Sequence, residues 1–148
     1  MRKIFIGADS AGYALKEEFK AHLLGLGYDI TDVGAYSAES SHYPIFANLV
    51  CDGVKKDLEN TFGILICGTG IGMSMCANKH HGIRAAVCSD TFSARMTRMH
   101  NDANVLCIGA RVIGPSLAID ILDEFLKSEF ENGGRHSLRV EMMMDIEK

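Results

Sequence analysis

The chain has 148 residues, 15 Lys+Arg against 19 Asp+Glu, and a formal net charge of -4. It is 47% hydrophobic and 23% charged, with no Trp and two Pro. These values exclude collagen-like and disordered chains and offer no basic footprint for nucleic acid. The length favours one domain, 1–148, that buries about two-thirds of its unfolded surface. Five cysteines (Cys51, Cys67, Cys76, Cys88, Cys107) form no CxxC pair. We expect free thiols in a reducing, cytoplasmic compartment rather than a disulfide framework. The first apolar run ends at Asp9, too soon for a signal peptide. The most apolar stretch, Phe62 to Ala77, is broken by glycines and is shorter than the ~18 to 20 residues of a spanning helix.

In chain order, Lys3 to Ala8 reads as a short buried strand. An amphipathic helix then opens at Ser10 or Ala11 and runs to about Leu26, with Leu15, Phe19, Leu23 and Leu26 at helical spacing. Gly27 stops it, and Tyr28 to Val33 is a second strand. Gly34 to Tyr43 is polar and loop-like. Pro44 suits the first turn of a helix reaching about Leu58, with Phe46, Leu49, Val50 and Val54 on one face. Phe62 to Cys67 is a third strand, apolar throughout, as expected when helices cover both faces of a sheet. The glycine loop Gly68 to Gly72 and a helix to about Lys79 follow. Ile83 to Cys88 is a fourth strand. The next helix runs to about Met99, with Ser89 or Asp90 as its cap. Asn104 to Ile108 is a fifth strand, Gly114-Pro115 starts a helix to about Ser128, and Arg135 to Glu147 forms a last one.

This alternation implies right-handed crossovers, hence an α/β fold: a single-domain, Rossmann-like three-layer sandwich around a five-stranded parallel sheet. Ligands of such sheets bind outside the carboxyl ends of the strands. The residues there are Asp9 and Ser10, the Gly34 to Tyr43 loop, Cys67 to Gly72, Ser89 and Asp90, and Gly109 to Arg111.

Cys67-Gly68-Thr69-Gly70-Ile71-Gly72 sits between a buried strand and a helix. Alternating glycines let backbone approach a ligand, and N–H groups at a helix start attract negative charge. GxGxG is neither the GxGxxG dinucleotide fingerprint nor the GxxxxGK[ST] phosphate loop, so NAD and ATP are disfavoured. The same geometry favours a thiolate at Cys67. Alternatively, Cys67 is a buried strand-end cysteine and the glycines only make a tight turn. The other four cysteines read as small core residues. No His/Cys/Asp/Glu group has metal-ligand spacing, so no metal is expected. His22, His80 and His81 read as surface residues, and the methionines as core or interface filler.

Gly7-Ala8-Asp9, Tyr43-Pro44, Cys67 to Gly72, Ala77-Asn78-Lys79, Gly82-Ile83-Arg84-Ala85, His100-Asn101-Asp102, Gly109-Ala110-Arg111-Val112 and Gly133-Gly134-Arg135-His136 occur together and in order. Over nearly its whole length the chain thus resembles the type B ribose-5-phosphate isomerases, a family that includes galactose-6-phosphate isomerase subunits. The resemblance implies a cofactor-free aldose–ketose isomerase that interconverts ribose 5-phosphate and ribulose 5-phosphate through a cis-enediolate. It implies Cys67 as the base and Thr69 as the hydroxyl that helps proton transfer at the substrate oxygen. His100 is implied for ring opening, with Asn101 beside it. Gly68, Gly70, Ile71 and Gly72 would supply enediolate donors, and Asp9, Ser10 and Tyr43 substrate contacts. Arg111, Arg135 and Arg139, with His136, would hold the phosphate. Without the resemblance, Arg135 and Arg139 read as a solvated helix face at four-residue spacing.

Two positions depart from the family pattern. Ser10 stands where histidine is usual, and a hydroxyl cannot carry that ring's positive charge. His42 stands where an acidic residue is more common. The topology also places His100 near the amino edge of the sheet, far from Cys67 of the same chain. A homodimer with composite sites accounts for this. The C-terminal segment 133–148 would then contact the partner, and pairing of dimers into a tetramer stays open. Two other functions compete: a hexose-6-phosphate isomerase acting on galactose or allose 6-phosphate with the same machinery, and a non-catalytic phosphate- or nucleotide-binding module.

Overall fold

The computed structural model describes residues 1–148. In chain order the elements are β1 (Lys3–Ala8), α1 (Tyr13–Gly25), β2 (Ile30–Asp32), α2 (Tyr43–Lys55), β3 (Thr61–Cys67), α3 (Ile71–Ala77), β4 (Ala85–Val87), α4 (Thr91–Asn101), β5 (Val105–Gly109), α5 (Pro115–Lys127) and α6 (Arg135–Asp145). All five strands are parallel, in the order β2-β1-β3-β5-β4. Every residue of the central β3 is buried, because strands flank it and helices cover both faces. This is the expected three-layer α/β architecture.

β1 pairs with β2 on one side and β3 on the other. The chain therefore changes direction across the sheet between β1 and β3, where a crevice opens at the carboxyl ends. Ala8 lies opposite Ile66, and the Asp9 N–H continues the ladder to the Ile66 carbonyl at 3.2 Å. Cys67 lies opposite Gly109. The register thus sets Asp9, Cys67 and the turn after Gly109 side by side.

One face of the sheet carries α1, α4 and α5 over 18 buried residues, including Ile4, Phe19, Phe62, Ile121 and Phe125. The other carries α2 and α3 over 11, including Val50, Leu65, Met73 and Val105. Two leucines depart from the expected stripes. Leu26 is 51% exposed, since it caps α1 and lies past the helix that covers the sheet. Leu49 is 45% exposed, because the inward face of α2 is Ala47, Val50, Cys51 and Val54. Both edge strands, β2 and β4, have 3 residues and are shorter than expected. α1 starts at Tyr13 because the Gly12 N–H turns back to the Asp9 carboxylate at 3.1 Å. Asp90 caps α4 as expected, its side chain accepting from the Ser93 N–H at 2.7 Å. No helix is long and apolar enough to cross a membrane.

One buried ion pair ties the first helix to the sheet. Lys16 is 0% exposed, and its ammonium donates to both Asp32 oxygens at 2.7 Å. Lys20 and the Gly34 N–H also donate to this carboxylate. Burial alone would raise the Asp32 pKa, but these donors outweigh it and hold the group below the ordinary carboxylate value. A depressed carboxyl stabilises the fold above its unfolded pKa of about 3.9 and loses that contribution as pH falls through the folded value. Asp32→Asn leaves the buried Lys16 charge with only the partly exposed Glu17 carboxylate, 3.4 Å away, as a counter-charge, so urea unfolding at pH 7 should show a loss approaching about 3–5 kcal/mol. The gap between variant and wild type should narrow below pH about 4. A gap that holds constant down to pH 2 contradicts this assignment.

Candidate active site

The expected site residues fall into two groups at opposite ends of the sheet. At the carboxyl ends lie Asp9, Ser10, Tyr43, the loop from Cys67 to Gly72, and Arg111. Asp9 lines an open crevice of about 450 Å³ with Ser41, His42, Tyr43 and Pro44. Tyr43 was expected at the end of the second strand. It is instead the first residue of α2, brought back to the crevice by the loop after β2. Its ring packs against the glycine loop so closely that a Cβ on Gly72 would lie 2.6 Å from Tyr43 Cε1. That position has room only for glycine.

Cys67 is 5% exposed, and its Sγ accepts the Gly70 N–H at 3.1 Å. Gly70 reaches this position through a left-handed backbone, φ 78°, where an L side chain is strained. The Ile71 N–H donates to Thr69 Oγ1 at 3.2 Å. The loop's N–H groups were all expected to face a ligand. Two of them are instead occupied within the loop, one on the sulfur itself. That N–H lies where negative charge on a thiolate would be stabilised. Gly72, in the first turn of α3, keeps its N–H outside the helical ladder. The Arg111 N–H donates to the Gly68 carbonyl at 3.0 Å, and its side chain lies over Gly68.

Among the other cysteines, burial pushes the Cys51 thiol up to about 12 and the Cys88 thiol up to about 11. Burial also raises the fully buried Cys107 well above its ordinary value. These three are core residues as expected. Cys76 is half-buried and packs against the edge of the second core.

The second group holds His100, Asn101, Arg135, His136 and Arg139. His100 and Asn101 end α4, which starts past the carboxyl end of β4 and runs back about 16 Å. Its last turn lies beside the entry to β4, where Arg84 Nε donates to the Asn101 carbonyl at 3.1 Å. α6 brings its first turn to the same place. The His100 and His136 rings stack with centroids 4.1 Å apart and 6° between planes. Arg135, His136 and Arg139 share a helix with no buried residue. His136 lies below its ordinary imidazole value because of burial, then the nearby His100 and Arg135 charges.

Glu131 joins this group, with Oε2 3.5 Å from His136 Nε2. The donor atoms of His100, Glu131 and His136 lie within 4.8 Å of one another. Parallel stacked rings cannot converge in-plane lone pairs on one ion, and two guanidiniums stand on the same helix. The arrangement suits an anion better than a cation.

Sequence reasoning missed Ser41, whose Oγ is buried without a partner at the wall of the crevice. No spacing or motif marks it. It also missed the arginines that hold the end of α4. His22, read as a surface residue, is partly buried and pairs with Asp123 at 2.7 Å.

A family model described as Ribose/Galactose Isomerase matches residues 4–143. Ribose-5-phosphate isomerase B of Escherichia coli is 48% identical over 148 residues, covering 100% of this chain and 98% of that protein. The structure of Clostridium thermocellum ribose-5-phosphate isomerase B superposes with a TM-score of 0.94 at 51% identity, covering 98% of this chain and 97% of that one. Ribose-5-phosphate isomerase B from Mycoplasma genitalium, solved with bound ribulose-5-phosphate, gives 0.94 at 42% identity, covering 98% and 95%. The match runs from the first strand to the last helix and takes in both groups of site residues, so this chain belongs to the ribose/galactose isomerase family.

Proposed function

We propose that the protein interconverts ribose 5-phosphate and ribulose 5-phosphate, with each active site assembled from two copies of the chain. The observation that carries this reading is the division of the site residues. Asp9, Tyr43, Cys67, Thr69 and Arg111 gather at the carboxyl ends of the strands. His100, Asn101, Arg135, His136 and Arg139 gather about one helix-length away at the amino edge. Neither group alone has a base, a ring-opening group and a full set of phosphate cations. Exposed apolar side chains around the first group, Ile71, Met75, Phe92 and Val112, supply surface for a partner to cover. A symmetric pair completes two equal sites at once.

In the composite site, His100 of the partner subunit moves the proton that opens the furanose ring. Cys67 Sγ then takes the proton from C2 of the open aldose. The C1 carbonyl becomes the enediolate oxygen, faced by free N–H groups of the loop and of the first turn of α3. Thr69 Oγ1 carries the hydroxyl proton between the two oxygens. Cys67 returns its proton to C1, and C2 becomes the ketose carbonyl. Asp9, Ser10 and Tyr43 hold sugar hydroxyls. Arg111, with Arg135, His136 and Arg139 of the partner subunit, holds the phosphate through forked donors. The buried N–H on Cys67 Sγ supports its use as a base. All five thiols are unpaired, which supports a reducing, cytoplasmic setting. A simple binding module has no use for the thiol or for the distant histidine.

Two measurements test this. Cys67→Ala should lower kcat for ribose 5-phosphate by about 10²- to 10⁴-fold with an unchanged melting temperature; near-normal turnover removes the base. Cys67→Ala and His100→Ala should each turn over ribose 5-phosphate far more slowly than wild type. Refolded as a mixture, they should recover roughly a quarter of wild-type activity, since half the dimers then hold one intact site. No recovery in a mixture shown to contain mixed dimers places the whole site in one chain.

A further inference from the structure

Three charged side chains, Arg84, Arg98 and Asp102, converge on the last turn of α4, the turn that carries His100 and Asn101. Arg98 is 1% exposed. Its Nη1 donates to Asp102 Oδ1 at 2.9 Å and to the Ala103 carbonyl at 2.6 Å. Its guanidinium lies 4.7 Å from the centre of the Phe62 ring. Arg84 reaches the same turn from the entry of β4. Its Nε donates to the carbonyls of Asn101 at 3.1 Å and Asp102 at 2.9 Å. Its Nη2 donates to Asp102 Oδ2 at 3.3 Å. Asp102 therefore spans both arginines, one oxygen each. It also holds a left-handed backbone, φ 48°, which ends the helix.

Stability alone does not call for this arrangement. A buried guanidinium between Phe62 and Phe125 costs desolvation, and an apolar side chain of similar volume would fill the space as well or better. One Arg84 Nε–H shared between two successive carbonyls, the Arg98 Nη1 bond to the next carbonyl and a carboxylate shared by both arginines do supply fixed direction. The peptide units they fix are those that end and follow α4, from Asn101 to Ala103.

We propose that Arg84, Arg98 and Asp102 are positioning residues for ring opening. They hold the last turn of α4 so that His100 meets the ring oxygen of the sugar in the partner subunit's site. The proposal rests on the ring-opening role given to His100 above. Misplacing a reacting group by about 1 Å costs on the order of 100-fold in rate, so a clamp on the adjacent peptide has a large lever.

The chemistry of the two substrates gives a readout specific to ring opening. In ribulose 5-phosphate the C5 oxygen is esterified, so no furanose can close on C2 and the ketose is open-chain. Exchange of its C1 hydrogen with solvent deuterium needs Cys67 and the enediolate donors, and no ring step. Turnover of ribose 5-phosphate needs both. Arg84→Gln and Asp102→Asn are the informative variants. The Arg84 side chain is 16% exposed, so it is a milder loss than Arg98, and asparagine tolerates the left-handed backbone.

Both variants should lower ribose 5-phosphate turnover by roughly 10- to 100-fold, with deuterium exchange into ribulose 5-phosphate unchanged within about twofold. His100→Ala should show the same split. If the clamp variants lose both rates by the same factor, or lose neither, while His100→Ala splits them, the positioning role is overturned. If His100→Ala itself shows no split, the ring-opening reading falls and the positioning role falls with it.

Discussion

The parallel pairing of β1 with β3 is the constraint on which the rest of the site depends. It joins the first strand to one that the chain reaches only after two helices and an edge strand. The crossovers β1→β2 and β2→β3 leave in opposite directions on either side of it. Ala8 opposite Ile66 sets Asp9 beside Cys67. The β3–β5 register, with Cys67 opposite Gly109, then brings Arg111 over the glycine loop. A one-residue slip in either ladder would put Cys67 and its neighbours on opposite faces of the sheet. The fold therefore fixes the thiol, its N–H partner and one cation with backbone hydrogen bonds rather than with flexible side chains.

The same parallel topology explains why the candidate site residues of one chain fall into two separate groups. A helix that follows a strand must run back along the sheet, so its last residues lie at the amino edge. His100 and Asn101 end α4 and cannot reach the crevice of their own chain. α6 adds Arg135, His136 and Arg139 at that edge, locked to α4 by the stack of His136 on His100. The groups that titrate or carry charge are thus gathered on two surfaces, and in the composite site proposed above the docking of these surfaces would set the catalytic distances.

Much of this was legible in the sequence, for identifiable reasons. The continuous apolar run of β3 marked a strand buried on both faces. Pro44, Asp90 and Pro115 marked helix starts, and all three lie at those starts. Alternation of strand and helix placed Cys67 and His100 at opposite ends before any coordinates. Tertiary effects were not legible. Leu49 fits an apolar pattern, but the face of α2 that packs on the sheet is Ala47, Val50, Cys51 and Val54. The Gly70 N–H on Cys67 Sγ depends on a left-handed glycine that spacing alone does not reveal. Arg98 and Asp102 stand at i and i+4, an ordinary surface pair by sequence, and only packing against Phe62 shows that this arginine is buried.

The central claim is that a single chain is incomplete and that pairing makes the enzyme. The most direct measurement is specific activity on ribose 5-phosphate against protein concentration, with the dimer fraction determined on the same samples by mass photometry. The account predicts that activity per chain falls in proportion to the dimer fraction as the protein is diluted or its interface weakened by Phe92→Asp. Full activity per chain in samples that contain only monomer would contradict it.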